Sequence, residues 1–147
     1  MIALTASHEF HAAARRATDP VPPESTATVL LLEDEPAISR MLVRLFAQSG
    51  MRTVVAENRV NSLELLARSP DAFALVFVDC HAPSFDHAEF CHQVRIVHPQ
   101  VPVLVATGAI QPNDVTVREG LTVLVPRPYL PTDLVWTARQ LLGRMTG

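Results

Sequence analysis

Cysteine is scarce. Cys80 and Cys91 are the only two among 147 residues, and they form no Cys-x-x-Cys pair. That excludes a cysteine metal cluster and a disulfide-built scaffold, and makes a reducing compartment the default. Each thiol reads as a small buried hydrophobe, Cys91 most plainly. No apolar run is long enough to span a bilayer. The N-terminus lacks the basic segment followed by an apolar one that marks a signal peptide. Surplus positive charge is missing too. The net charge of -3 argues against nucleic acid or an anionic membrane surface as a partner. The expectation is a cytoplasmic protein that binds neither. No internal repeat or low-complexity segment stands out.

Hydrophobic residues make up 48% of the chain and charged residues 18%, a globular composition with material for one real core. Residues 1–27 differ from the rest. His8 to Arg16 has the composition of a short helix, but Pro20, Pro22 and Pro23 remove donors and favour extended chain. This part reads as a flexible N-terminal extension ahead of a folded domain over 28–147. His8 and His11 are spaced to share a metal on a helix, but no third ligand is near, so a solvated face is the better reading.

Five apolar runs of strand type then alternate with helical patterns. They are Thr28–Leu32, Thr53–Ala56, Phe73–Val78, Val101–Ala106 and Leu121–Val125. Continuous apolar runs bounded by turn signals read as strands buried on both faces. Pro36 suits a first helical turn, and Ile38, Met41, Leu42, Leu45 and Phe46 fall on one face, with Gly50 as the stop. Val60, Leu63, Leu66 and Ala67 mark a second helix. Asp86 and Glu89 resemble a capping box before the stripe of Phe90, Cys91, Val94 and Val97. Ala109 to Gly120 has only a thin apolar face. The last helix carries Leu134, Val135, Ala138, Leu141, Leu142 and Met145. Trp136 lies off that stripe, at a candidate edge or homodimer face. The alternation gives an α/β fold, a parallel sheet covered on both sides with right-handed crossovers.

The ends of these strands carry the chemistry. The first ends in Glu33, Asp34 and Glu35, the third in Asp79, the fourth in Thr107 and the fifth in Arg127. Parallel strands bring such groups to one edge, where open α/β sheets place their sites. Clustered carboxylates suit a Mg²⁺ that keeps some of its waters. A hydroxyl and a guanidinium nearby suit a phosphoryl group. A carboxylate beside a divalent cation can attack phosphorus and form an acyl phosphate. The blander reading is that the three acids only favour the positive end of the first helix. It leaves Asp79, Thr107 and Arg127 unexplained.

From about Thr28 to Met145 the chain resembles a response-regulator receiver domain of two-component signalling. The motifs are Leu32-Glu33-Asp34-Glu35-Pro36, Val78-Asp79 with Pro83 four residues on, Ala106-Thr107-Gly108 and Arg127-Pro128-Tyr129. The resemblance implies a flavodoxin-like (CheY-like) three-layer fold with a five-stranded parallel sheet of order 2-1-3-4-5. It implies Asp79 as phosphoacceptor and a Mg²⁺ held directly by Asp34 and Asp79, by Glu33 through water, and by the backbone carbonyl of His81. It further implies that Thr107 and Arg127 contact the phosphoryl group and that the bond before Pro128 is cis. Implied partners are a sensor histidine kinase or phosphotransfer protein and a downstream protein target. The Ala-Thr-Gly signature and irregular fourth-helix region resemble the FAT GUY single-domain subgroup. That would suggest an HWE-type kinase, although Val105 and Ile110 replace its flanking aromatics.

Three residues depart from the family pattern. Arg127 stands for the usual lysine and is not equivalent to it. Leu124 stands for an aromatic switch residue, and His87 for a glycine. These departures carry an alternative, a degenerate receiver that acts as a docking scaffold independent of phosphorylation. A metal-dependent phosphatase is a third reading. Its general acid two residues past the nucleophile is replaced by His81, and no substrate cap is evident. A binding switch, not an enzyme, is the leading reading. Asp34 and Asp79 should repel each other without a cation. Millimolar Mg²⁺ should therefore raise the melting temperature of wild type but not of Asp34→Ala, which a thermal shift measurement checks.

Overall fold

Alternation along the central strands sorts the core into two layers. The computed structural model describes residues 27–107 and 121–146. In chain order these form β1 (Thr28–Glu33), α1 (Pro36–Gln48), β2 (Arg52–Val55), α2 (Arg59–Arg68), a 3₁₀ turn (Pro70–Ala72), β3 (Leu75–Asp79), α3 (His87–Val97), β4 (Val103–Thr107), β5 (Thr122–Pro126) and α4 (Pro131–Thr146). The extension expected over 1–27, Ala27 apart, and the weak region from Ala109 to Gly120 lie outside the described residues. All four pairings are parallel, in the order β2-β1-β3-β4-β5, as the family resemblance implies.

Successive strand residues point to opposite faces. Leu30, Leu32, Val76, Val78, Val103 and Val105 pack with Leu66 of α2 and with Phe90, Cys91 and Val94 of α3. Val29, Leu31, Leu75, Phe77, Leu104 and Ala106 pack with Leu42 and Phe46 of α1 and with Leu134, Ala138 and Leu141 of α4. The result is a helix–sheet–helix sandwich. Phe77, on the central strand, meets Phe46 edge-on at 5.9 Å and Tyr129 at 6.4 Å between ring centroids.

Local signals act as their chemistry dictates. Pro36 sits in the first turn of α1. Gly50 follows that helix with a φ of 82°, a conformation that suits glycine. Asp86 caps α3 by accepting the Glu89 N–H at 2.9 Å. Asn58 caps α2 in the same way through Asn61.

Four features differ from expectation. The strands end later than the apolar runs, because Glu33 and Asp79 are paired ladder residues themselves. Met41 is 45% exposed and Val60 60% exposed. Met41 lies at the edge of the α1 arc, and Val60 in the first turn of α2, ahead of the residues that reach the core. Trp136 is buried within the chain. α4 is covered on more than its stripe, with Leu134 to Ala138 buried consecutively.

Phe77→Ala is expected to lower the unfolding free energy by about 3–5 kcal/mol, as aromatic truncation in a close-packed core does. Val60→Ala should change it by less than about 0.5 kcal/mol. Urea denaturation of both variants checks the contrast.

Candidate functional site

Strand register builds the site. Glu33 stands level with Asp79 across the β1–β3 ladder, and neighbouring strands run about 4.8 Å apart. Both follow the parity of Leu31 and Phe77, so the two carboxylates emerge side by side on the α1–α4 face. Their side chains are 0% and 1% exposed. Two buried acids at that separation repel strongly unless a proton or a cation intervenes.

Arg127, just past β5, supplies the cation. Its Nε lies 2.9 Å from Asp79 Oδ1, a close ionic contact without hydrogen-bond alignment. One arm of the guanidinium, Nη2, donates to the carbonyls of Cys80 (2.9 Å) and Ala106 (3.1 Å). The other, Nη1, lies 2.9 Å from His81 Nδ1. The Arg127–Pro128 bond that delivers it is cis, as the resemblance implies. Tyr129, two residues on, donates its hydroxyl to Asp79 Oδ2 at 2.8 Å. Both oxygens of Asp79 are therefore engaged.

A guanidinium has donors only, so Nδ1 of His81 accepts and the ring proton is assigned to Nε2. That nitrogen lies 3.5 Å from Glu33 Oε1 and 3.5 Å from Asp79 Oδ1, too far for hydrogen bonds. Asp34 faces a different way. Its carboxylate accepts the backbone N–H of His81 at 3.0 Å and of Ala82 at 3.0 Å, tethering the loop after β3.

The structure thus brings together Glu33, Asp79, His81 and Arg127, with Asp34 alongside but turned to the loop. Thr107 pairs with Pro126 at the end of the sheet; its side chain lies outside what is described. Sequence reasoning missed two participants, the His81 ring and the Tyr129 hydroxyl. A phenol two residues after a strand-end cation was a usable signal for the second. Leu124 is half-buried against the α2–α3 side of the core. His87, whose ring packs edge-on against Phe85 at 4.8 Å, has its pKa lowered by burial and by the Arg127 charge.

The electrostatics follow from burial. Burial, opposed by the Glu35 N–H and reinforced by Asp34 and Asp79, pushes the Glu33 carboxyl up to about 8. Burial also works against ionisation of Asp34. Its hydrogen bonding to Glu33 and to the Ala82 and His81 N–H groups outweighs that and holds its pKa below the ordinary value. Burial and the bond to Asp79 raise the Tyr129 phenol, so it stays a donor. Burial and the surrounding acids push the Cys80 thiol up to about 12, which rules it out as a nucleophile.

Three buried atoms, Glu33 Oε1, Asp79 Oδ1 and His81 Nε2, have no hydrogen-bond partner among the described residues, and each of these residues offers a ligand atom within 4.8 Å of the other two. Such a donor set fits a divalent cation. Without a cation, Glu33 holds a proton in the folded state that the unfolded chain releases above 4.5. Stability from this group is complete below about 4.5 and is lost as pH rises through about 8, because the native state binds more protons in that window. In chelator, the melting temperature should fall from pH 5 to pH 8, and Glu33→Gln should flatten the slope. Equal slopes in thermal melts would refute the assignment.

The comparisons agree with this geometry. A family profile described as response regulator receiver domain matches residues 29–134. Response regulator protein FleR of Pseudomonas aeruginosa is 31% identical over 124 residues, which is 82% of this chain and 26% of FleR. Transcriptional regulatory protein CreB of Escherichia coli is 31% identical over 121 residues, 80% of this chain and 52% of CreB. The chain thus spans about half or less of these relatives. Among solved structures, a receiver domain protein from Clostridium thermocellum superposes with a TM-score of 0.73 at 18% identity, over 82% of this chain and 97% of that one. The receiver domain of sensor histidine kinase PA1611 from Pseudomonas aeruginosa, with magnesium coordinated in its active-site cleft, gives 0.67 at 17% identity, over 81% and 99%. With its fold, its strand-end acids and the matched profile in accord, the chain belongs to the response-regulator receiver domain family of two-component signalling.

Proposed function

We propose that this domain is a phosphoryl-accepting switch that takes a phosphoryl group onto Asp79 and signals through protein–protein contact. The observation that carries the reading is the setting of Asp79. It is a buried carboxylate at the carboxyl end of the central strand, beside a second acid and in contact with a guanidinium. The donor is a phosphohistidine on a sensor histidine kinase or phosphotransfer protein, and the receiver of the signal is a downstream protein. Among the described residues no helix is long and apolar enough to cross a membrane. With two free thiols, the cytoplasm is the compartment we assign.

Asp79 presents two oxygens with different surroundings. Oδ1 faces Glu33, His81 and Arg127, while Oδ2 carries the Tyr129 hydroxyl. Oδ2 is the nucleophile once the phenol swings aside, since Oδ1 belongs to the cation-binding cluster. The oxygen–phosphorus bond forms as the phosphorus–nitrogen bond of the donor breaks, and the nitrogen keeps the electron pair. Glu33 and Asp79, with Asp34 alongside, would hold a divalent cation, Mg²⁺ by the family resemblance, which would supply positive charge for the transferring oxygens. Arg127 supplies the remaining positive charge. Its Nε–H already lies beside the acceptor carboxylate without an aligned partner and is the donor best placed for a phosphoryl oxygen. Modification of one side chain, without turnover of a substrate, makes this a switch and not an enzyme. The docking-scaffold alternative has less support, because every acid that phosphorylation needs is present and Arg127 retains the charge.

Intact mass after incubation with acetyl phosphate and Mg²⁺ is expected to show one added phosphoryl group, labile to base and absent in Asp79→Asn. Absence of the adduct, together with failure to bind beryllofluoride, would overturn the reading.

A further inference from the structure

The three buried atoms without hydrogen bonds at this site are not all oxygens. Glu33 Oε1 comes from β1, Asp79 Oδ1 from β3 and His81 Nε2 from the loop that follows. Leaving buried polar groups without hydrogen bonds is costly; Glu33 Oε1 and His81 Nε2 have none, and Asp79 Oδ1 has only the unaligned ionic contact of Arg127. His81 Nε2 stands 3.5 Å from each oxygen. Ligand atoms bonded at about 2.1 Å to one ion lie about 3.0 Å apart on adjacent octahedral corners and about 3.4 Å apart on tetrahedral ones. The two nitrogen–oxygen separations are therefore close to those of atoms sharing a cation, and the ligand atoms of the three residues all lie within 4.8 Å of one another.

We propose that the His81 side chain is a nitrogen ligand to the divalent cation of this site, so that the domain favours an imidazole-accepting transition ion over Mg²⁺. Mg²⁺ takes oxygen ligands and sheds water reluctantly. Imidazole suits ions such as Co²⁺, Ni²⁺ and Zn²⁺. The ring nitrogen already stands 3.5 Å from an oxygen of each carboxylate, so little rearrangement is needed to ligate.

Ligation is coupled to Arg127. A metal-bound Nε2 carries no proton, so the ring proton moves to Nδ1; one proton leaves to solvent and one is taken up. Nδ1–H can no longer accept from the guanidinium. Arg127 loses its His81 contact and keeps those to Cys80 and Ala106. The cation thereby frees one arm of the guanidinium beside Asp79, on the side where a phosphoryl group would arrive.

The inference rests on the proposed function only in needing a cation beside Asp79. The probes are Co²⁺ and Mg²⁺ alone, without phosphodonor, on wild type and on His81→Asn. Proton NMR of the Co²⁺-loaded wild type in H₂O should show a strongly shifted imidazole N–H resonance that vanishes in D₂O and is absent from the variant. The preference for Co²⁺ over Mg²⁺, from competition titrations, should fall at least tenfold in His81→Asn, with Mg²⁺ affinity changed less than about twofold. The resonance in wild type is read without the variant, and the variant's melting temperature shows whether it is folded. If the resonance appears but acetyl phosphate leaves Asp79 unmodified and beryllofluoride fails to bind, this inference stands and the phosphoacceptor reading falls. If Asp79 is phosphorylated with Mg²⁺ while the resonance is missing and the preference is equal in both proteins, the site uses oxygen ligands alone and the inference is overturned.

Discussion

The forced proximity of two buried carboxylates is the constraint on which this site depends. The β1–β3 register leaves no choice: once Leu31 pairs with Phe77, Glu33 must pair with Asp79. The apolar core below fixes that register, because a slip of one residue would turn the whole of β1 inside out. The repulsion is thus imposed by the packing of residues that take no part in the chemistry. Each neighbour relieves part of it. Arg127 neutralises Asp79, Tyr129 donates to it, Glu33 keeps a proton to higher pH, and His81 turns a ring nitrogen toward both. The site is a charge imbalance held in place by hydrophobic burial.

Arginine at 127 shapes how that imbalance is held. The chain contains no lysine, so every basic group is a guanidinium or an imidazole. A lysine ammonium concentrates its donors at one point. The Arg127 fork reaches Asp79, His81 Nδ1 and two main-chain carbonyls at once. Those carbonyls belong to the loop after β3 and to β4, so one side chain ties three segments at the sheet edge. The fork is also rigid and planar. It holds its position more firmly than an ammonium would, and a phosphoryl group must compete with several acceptors for it.

Much of this was legible in the sequence, for identifiable reasons. Strands buried on both faces leave long apolar runs, and their ends locate the acids without knowledge of the loops. Order and spacing of Asp34, Asp79, Thr107 and Arg127 carried the family resemblance, and the resemblance implied the topology and the cis bond before Pro128. What stayed hidden depends on side-chain direction outside regular structure. His81 lies in a loop with no periodicity to orient it, so only its main-chain carbonyl could be anticipated. Tyr129 lay within a quoted motif, but its hydroxyl reaches Asp79 only because Phe77 and the α1–α4 layer position the ring. Met41 and Val60 followed the helical period and still proved exposed, since period fixes a face but not how far the sheet extends beneath it. Trp136 erred in the opposite direction: a helix packed on several sides has no single stripe.

Asp34 holds the loop after β3 by its own charge, through the N–H groups of His81 and Ala82. A cation that recruits Asp34 must first win it from that loop. The two charge-assisted bonds are worth about 1–3 kcal/mol together, at the low end of their range because the group is exposed. That corresponds to a factor of about 5 to 150 in binding. Both N–H groups go to Oδ2 at 3.0 Å, with Oδ1 3.2 Å from the His81 nitrogen, so a cation that draws on Asp34 loosens the loop only as far as it takes these acceptor atoms. The segment leading into α3 is thereby tied to the acid pocket through a single carboxylate.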